Sequence, residues 1–120
     1  MGLFSRNRKA TTPKQISVID HAGGMIVTKS LLSGHSKLKW LFRDDGINPD
    51  DSGWRAIGDT DTQEYLDNPA NSIIADFNTL VNIEPAVLSV YTMPVGTDLE
   101  FCCERGEKFF RDNKTGKRIS

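Results

Sequence analysis

One short run in the middle of the chain limits the possible folds more than any other. Lys37-Leu38-Lys39-Trp40-Leu41-Phe42-Arg43 alternates basic and apolar side chains, with Leu41 the exception. Period two with aromatics predicts a half-buried strand, with Leu38, Trp40 and Phe42 inward and Lys37, Lys39 and Arg43 toward water. Burying that triad contributes about 1.5–3 kcal/mol per side chain. Further strands are expected at Ile16–Ile19, at Met25–Thr28 behind Gly23-Gly24, at Trp54–Ile57 and at Ser72–Asp76. A hairpin closes the series: Leu99, Phe101 and Cys103 share one face, Arg105-Gly106 turns the chain, and Phe101 falls opposite Phe110. Asn113–Gly116 is a second turn signal.

The helices between these strands are all short. Thr28 is placed to cap Lys29–Ser33, which Gly34 ends. Thr60-Asp61-Thr62-Gln63 has the capping-box pattern and predicts a helix from Asp61 to Asp67, stopped by Asn68-Pro69. Asp76 caps a turn with Phe77, Leu80 and Val81 inward. Glu84-Pro85 opens another helix, with Ile83 stapled to Leu88, and Met93-Pro94 ends it. No strand–long helix–strand unit repeats. The expected class is α+β, a small mostly antiparallel sheet with short helices packed against it.

At 120 residues the chain is long enough for one independent core. The expected division is a flexible basic tail over residues 1–15 and a single domain over residues 16–120. The tail carries Arg6, Arg8, Lys9 and Lys14 and no acid. Met1-Gly2 hints at myristoylation, but Arg6 stands where the motif wants Ser or Thr. No apolar run reaches the ~20 residues that span a bilayer, and no signal-like apolar region comes after the basic start. Cys102 and Cys103 are adjacent, poorly placed to bond each other on a strand. The expected setting is reduced and cytoplasmic, without stable membrane association.

Charge is unevenly spread. From Asp50 to Asn78 there are seven acids against one base, Arg55, while the whole chain stands at −1. Such a field speaks of partners rather than of fold. A calcium-loop reading places Asp59 and Asp61 correctly, then fails at Glu64, where glycine is required, and at Ala70, where glutamate is. Asp50, Asp51, Asp59, Asp61, Glu64, Asp67 and Asp76 therefore read as a solvated acidic surface rather than a catalytic pair. His21 and His35 lack ligand-spaced partners, and Cys103 reads as a small core residue. No phosphate-cradling loop or nucleophile elbow is present. Lys37, Lys39 and Arg43 suggest a nucleic-acid face, which the acidic centre opposes. No metal and no cofactor is implied. Trp54 and Arg55 point to opposite faces of a strand. One reading buries Trp54 and pairs Arg55 with Asp59 or Asp76; the other gathers Trp54, Arg55, Tyr65, Asp76 and Asn78 into a ligand cleft.

Several segments together carry a family likeness: Gly24–Lys29, Lys39–Arg43, Asn48-Pro49-Asp50-Asp51-Ser52-Gly53-Trp54-Arg55, Glu64-Tyr65-Leu66-Asp67-Asn68-Pro69, Asp76–Thr79 and Pro94–Thr97. In that order they resemble the bacterial immunity protein 33 family, also called domain of unknown function 2185. The resemblance runs from about Gly24 to the C-terminus. It implies a non-enzymatic protein that binds and neutralises a cognate toxin of a polymorphic toxin system. It brings no catalytic residues. The expected contact set is Asp59, Asp61, Glu64, Tyr65 and Asp67, steering onto a basic toxin surface. The alternatives are the small-ligand or enzymatic cleft around Trp54, Arg55 and Tyr65, and a structural accessory domain.

Overall fold

The structure is a computed structural model describing residues 17–119; the basic tail lies outside the described residues. Six strands form one sheet: β1 (Gly24–Thr28), β2 (Leu38–Arg43), β3 (Asp51–Gly58), β4 (Ser72–Asp76), β5 (Asp98–Glu104) and β6 (Glu107–Asp112). Their order is β4-β1-β3-β2-β5-β6. β1 and β3 run parallel, and every other neighbouring pair runs antiparallel. The sheet is thus mixed, with one parallel pair in a mostly antiparallel array. The helices are α1 (Lys29–Leu32), α2 (Gln63–Asp67) and α3 (Phe77–Ile83), with 3-10 turns at Pro69–Asn71 and Pro85–Val90.

One face of the sheet carries the core. Met25, Val27, Leu41, Trp54, Ala56, Leu99, Phe101 and Phe110 meet Leu31 of α1, Phe77, Leu80 and Val81 of α3, and Val87 and Val90 of the second 3-10 turn. Trp54 is fully buried, its ring 6.2 Å from Phe77, which lies 4.7 Å from Tyr91. The Trp54 indole N–H donates to the Tyr91 carbonyl, and the Tyr91 hydroxyl donates to the Ala22 carbonyl. Both polar ends of the aromatic stack are therefore satisfied, as burial of Trp and Tyr requires. The opposite face carries no helix of the core; Arg55, Cys102 and Phe109 are buried there, Phe109 under Arg111 and Arg118.

The alternating run forms β2, but not with the predicted faces. A register shift lies between Leu38 and Trp40. Leu38 and Leu41 are buried, while Trp40 is exposed. A bulge adds a residue to the strand and so re-aims the side chains beyond it; the Leu41 exception was the sign of it. Lys39 pairs with Glu100 at 2.6 Å, and Arg43 turns to the Ser52 and Met93 carbonyls, so the basic face is not continuous.

Other expectations shift similarly. Ser17–Ile19 is not a strand: the amides of Val18 and Ile19 donate to the buried Asn78 side chain, which donates back to the Ile19 carbonyl. β3 starts at Asp51, earlier than Trp54. Thr28 makes no capping bond; its hydroxyl pairs with that of Ser30. The cap of α2 is Thr62, accepting from the Tyr65 amide, and not Thr60. Ile83 and Leu88 stay exposed; the Pro85–Val90 turn is held by Glu84, which accepts from the Ala86 amide and from Lys108. Cys103 is exposed and Cys102 is buried, because Cys102 lies under Arg111 beside Phe109. Asp76 caps α3 as expected, and Phe101 meets Phe110 at 4.9 Å. Arg105 and Gly106 both adopt positive φ, as a two-residue hairpin turn needs.

Candidate functional site

The acidic window divides at β3. The strand, Asp51–Gly58, holds the two ends of the window apart. Asp50 and Asp51 lie at the start; Asp59, Asp61, Glu64 and Asp67 lie beyond the end. The two groups do different things.

At the start of β3 every residue of Asp51-Ser52-Gly53-Trp54-Arg55 is used inside the fold. The Asp51 carboxylate accepts two bonds from the Arg55 guanidinium (2.8 and 3.0 Å) and the amides of Ile47 and Gly53. Both side chains are about nine-tenths buried. The Arg55 guanidinium, aided by those amides, holds the Asp51 carboxyl far below the usual carboxylate range, against the opposing effect of burial. In return Asp51 raises the Arg55 pKa. The Ser52 hydroxyl donates to the Gly24 carbonyl, joining β3 to β1. Gly53 sits at φ +89, and a Cβ there would stand 2.1 Å from the Asp44 carbonyl oxygen, so only glycine fits. Trp54 fills the core. Arg55 pairs with Asp51, not with Asp59 or Asp76.

Beyond the end of β3 the acids face outward. Asp59, Glu64 and Asp67 are exposed and, among the described residues, take part in no ion pair. Their scaffold is built from polar caps. Thr62 caps α2, Asn68 caps the Pro69–Asn71 turn, and the Asn71 side-chain amide donates to the Tyr65 carbonyl. Asp61 faces the other way: half-buried, it accepts from the Ser30 hydroxyl and the Gly58 amide and anchors the segment to α1. Asp59 also accepts from the Lys37 amide. Tyr65 is half-buried beside the acids. α2 buries no residue, so the fold gains little by keeping it and loses little where its exposed side chains vary.

The residues of the predicted cleft occupy four places. Trp54 is in the core, Arg55 is on the opposite face of the sheet with Asp51, and Tyr65 is beyond the end of β3. Asp76 and Asn78 do come together: Asp76 accepts from the Asn78 amide and side chain, and Asn78 clamps Val18 and Ile19.

A feature with no role assigned from sequence lies on the opposite face of the sheet, although Gly24, Met25, Ile26, Asn48, Asp50 and Asp51 of the family-like segments border it. A groove of about 200 Å³ opens between the 44–50 loop and strands β1 and β4, lined by Ile26, Ile47, Ile74 and the acids Asp50 and Asp51. The Ile73-Ile74 pair was the available sign: two adjacent apolar residues on a strand cannot both face the core.

The family model described as Immunity protein Imm33 domain matches residues 25–112. No curated protein and no solved structure gives a significant match to the chain. The matched stretch begins within β1 and ends with β6, so it takes in essentially the whole sheet.

Proposed function

The chain belongs to the Imm33 immunity protein family, and from that premise we propose that it binds and neutralises one cognate protein toxin, without catalysis, through the acidic segment beyond β3. One observation carries the reading: Asp59, Glu64 and Asp67 are exposed and unpaired by any base among the described residues, with Asp59 accepting only from the Lys37 amide and Asp67 from the Gln63 side chain. Tyr65 supplies an aromatic contact between them, and Asp61 holds the segment in place. A negative ridge of this kind attracts a basic surface before contact and raises the association rate by about 10-fold or more.

The test is co-expression with the product of each open reading frame beside its gene, taken as the candidate toxin. Rescue of growth by the wild-type chain, weakened when Asp59, Glu64 and Asp67 are changed to Lys, supports the reading. No rescue, and no binding between the purified proteins at low or high salt, removes it.

A further inference from the structure

β4 is an edge strand, paired only with β1 among the described residues. The phase of that pairing is set by one bond. The Phe77 amide donates to the Gly23 carbonyl at 2.9 Å, so Ala75 and Ile73, two and four residues back, also point their main-chain groups at β1. The main-chain groups of Ser72 and Ile74 therefore point away from the sheet; the Ser72 amide is taken by the Pro69 carbonyl, and Ile74 presents both its amide and its carbonyl at the edge. The Ile74 side chain is 73% exposed and stands on the face away from the core, at the groove it shares with Ile26 and Ile47, itself 72% exposed. Natural edge strands are usually blunted by lysine, proline or a bulge, and β4 has none of these.

Charge says what kind of chain fits. Asp67 lies before the start of β4, Asp76 ends it, and Asp50 borders the groove; all three are exposed. An apolar centre between acidic ends matches an extended segment with an apolar side chain in the middle and Lys or Arg on either side. A second copy of this chain would bring like charges together at both ends.

We propose that β4 is a strand-addition site, on which the toxin lays an extended segment with a central apolar side chain in the Ile26–Ile47–Ile74 groove and basic side chains against Asp76, Asp50 and Asp67. This rests on the toxin-neutralising reading and adds to it the geometry of the contact. Main-chain bonds along Ile74 give affinity, and the groove gives selectivity. The apolar centre acts as the anchor and the acids as the rim.

The experiment measures binding of the purified adjacent toxin to the wild-type chain and to Ile74→Asp, Ile74→Pro and Ile47→Ser, with sedimentation of each chain alone. Ile74→Pro removes an outward amide and no bond to β1, so the fold survives it as edge strands do. Circular dichroism and thermal melts of the variants check this. The site predicts about 30-fold or greater weakening by both Ile74 changes, with melting curves near wild type, and a smaller loss for Ile47→Ser. Wild-type binding that Ile74→Asp and Ile74→Pro leave intact overturns the strand-addition site while the immunity reading stands. Self-association of the free chain that Ile74→Asp abolishes assigns the edge to a second copy and also overturns it. Absence of wild-type binding removes the immunity reading and this site with it.

Discussion

Asp51–Arg55 and Asp59–Pro69 are neighbours in sequence, both rich in turn residues and both within the matched family domain, yet the fold treats their carboxylates in opposite ways. In the first, charge is consumed. Asp51 and Arg55 satisfy each other out of water, Gly53 lets the backbone pass Asp44, and Trp54 fills the core. In the second, charge is displayed. The backbone is held by Thr62, Asn68, Asn71 and Asp61, and Asp59, Glu64 and Asp67 stay exposed with no ion pair among the described residues. A family motif can thus mark a buried ion pair in one segment and exposed carboxylates in the next. The two are separated by where each carboxylate's hydrogen bonds go.

The sharpest way to break this contrast is to remove groups from the first segment. Trp54→Ala is expected to cost about 3–5 kcal/mol, as large core aromatics do, read from denaturant melts. Asp51→Ala leaves the Arg55 guanidinium without its carboxylate and is expected to cost about 3 kcal/mol, near the low end for a broken buried pair. Trp54→Ala should not alter toxin affinity per folded molecule.

Acid titration separates the segments next. The folded-state pKa of Asp51 lies below its unfolded value, so its contribution is complete above the ordinary carboxylate pKa of about 4. That contribution is lost as pH falls from there toward the folded pKa. Wild-type melting temperature should drop over that interval. Asp51→Asn should start lower and fall less steeply.

Smaller again is the cap of the displayed segment. Thr62→Ala is expected to cost about 1 kcal/mol or less, and to speed amide exchange in α2 while leaving β3 protected. An effect spread over the whole sheet would mean that α2 is part of the core.

Much of the sheet was legible before any coordinates. Leu99, Phe101 and Phe110 announced the hairpin, and Asp76 announced α3, because each signal is local. The faces of β2 were not legible from alternation alone, since a bulge is set by how β3 lies alongside. The role of Asn78 was hidden for the same reason: its partners, Val18 and Ile19, are about 60 residues away. Arg55 finds an acid, but the one it takes is Asp51, four residues back along β3, and not Asp59, four residues on, or Asp76. Positions four apart on a regular strand share a face but stand about 13 Å apart. The irregular pairing at Gly24–Ile26, which sets Asp51 and Arg55 against residues only two apart on β1, shortens that span. The count of acids was readable; which of them the fold keeps for itself was not.

The most direct measurement is the association rate of the adjacent toxin with a chain carrying Asp59→Lys, Glu64→Lys and Asp67→Lys, set beside its melting temperature. The account predicts association at least ~10-fold slower at low salt, a difference that shrinks as salt rises, and stability within ~0.5 kcal/mol of wild type. Unchanged association at low salt, or a large loss of stability, would contradict it.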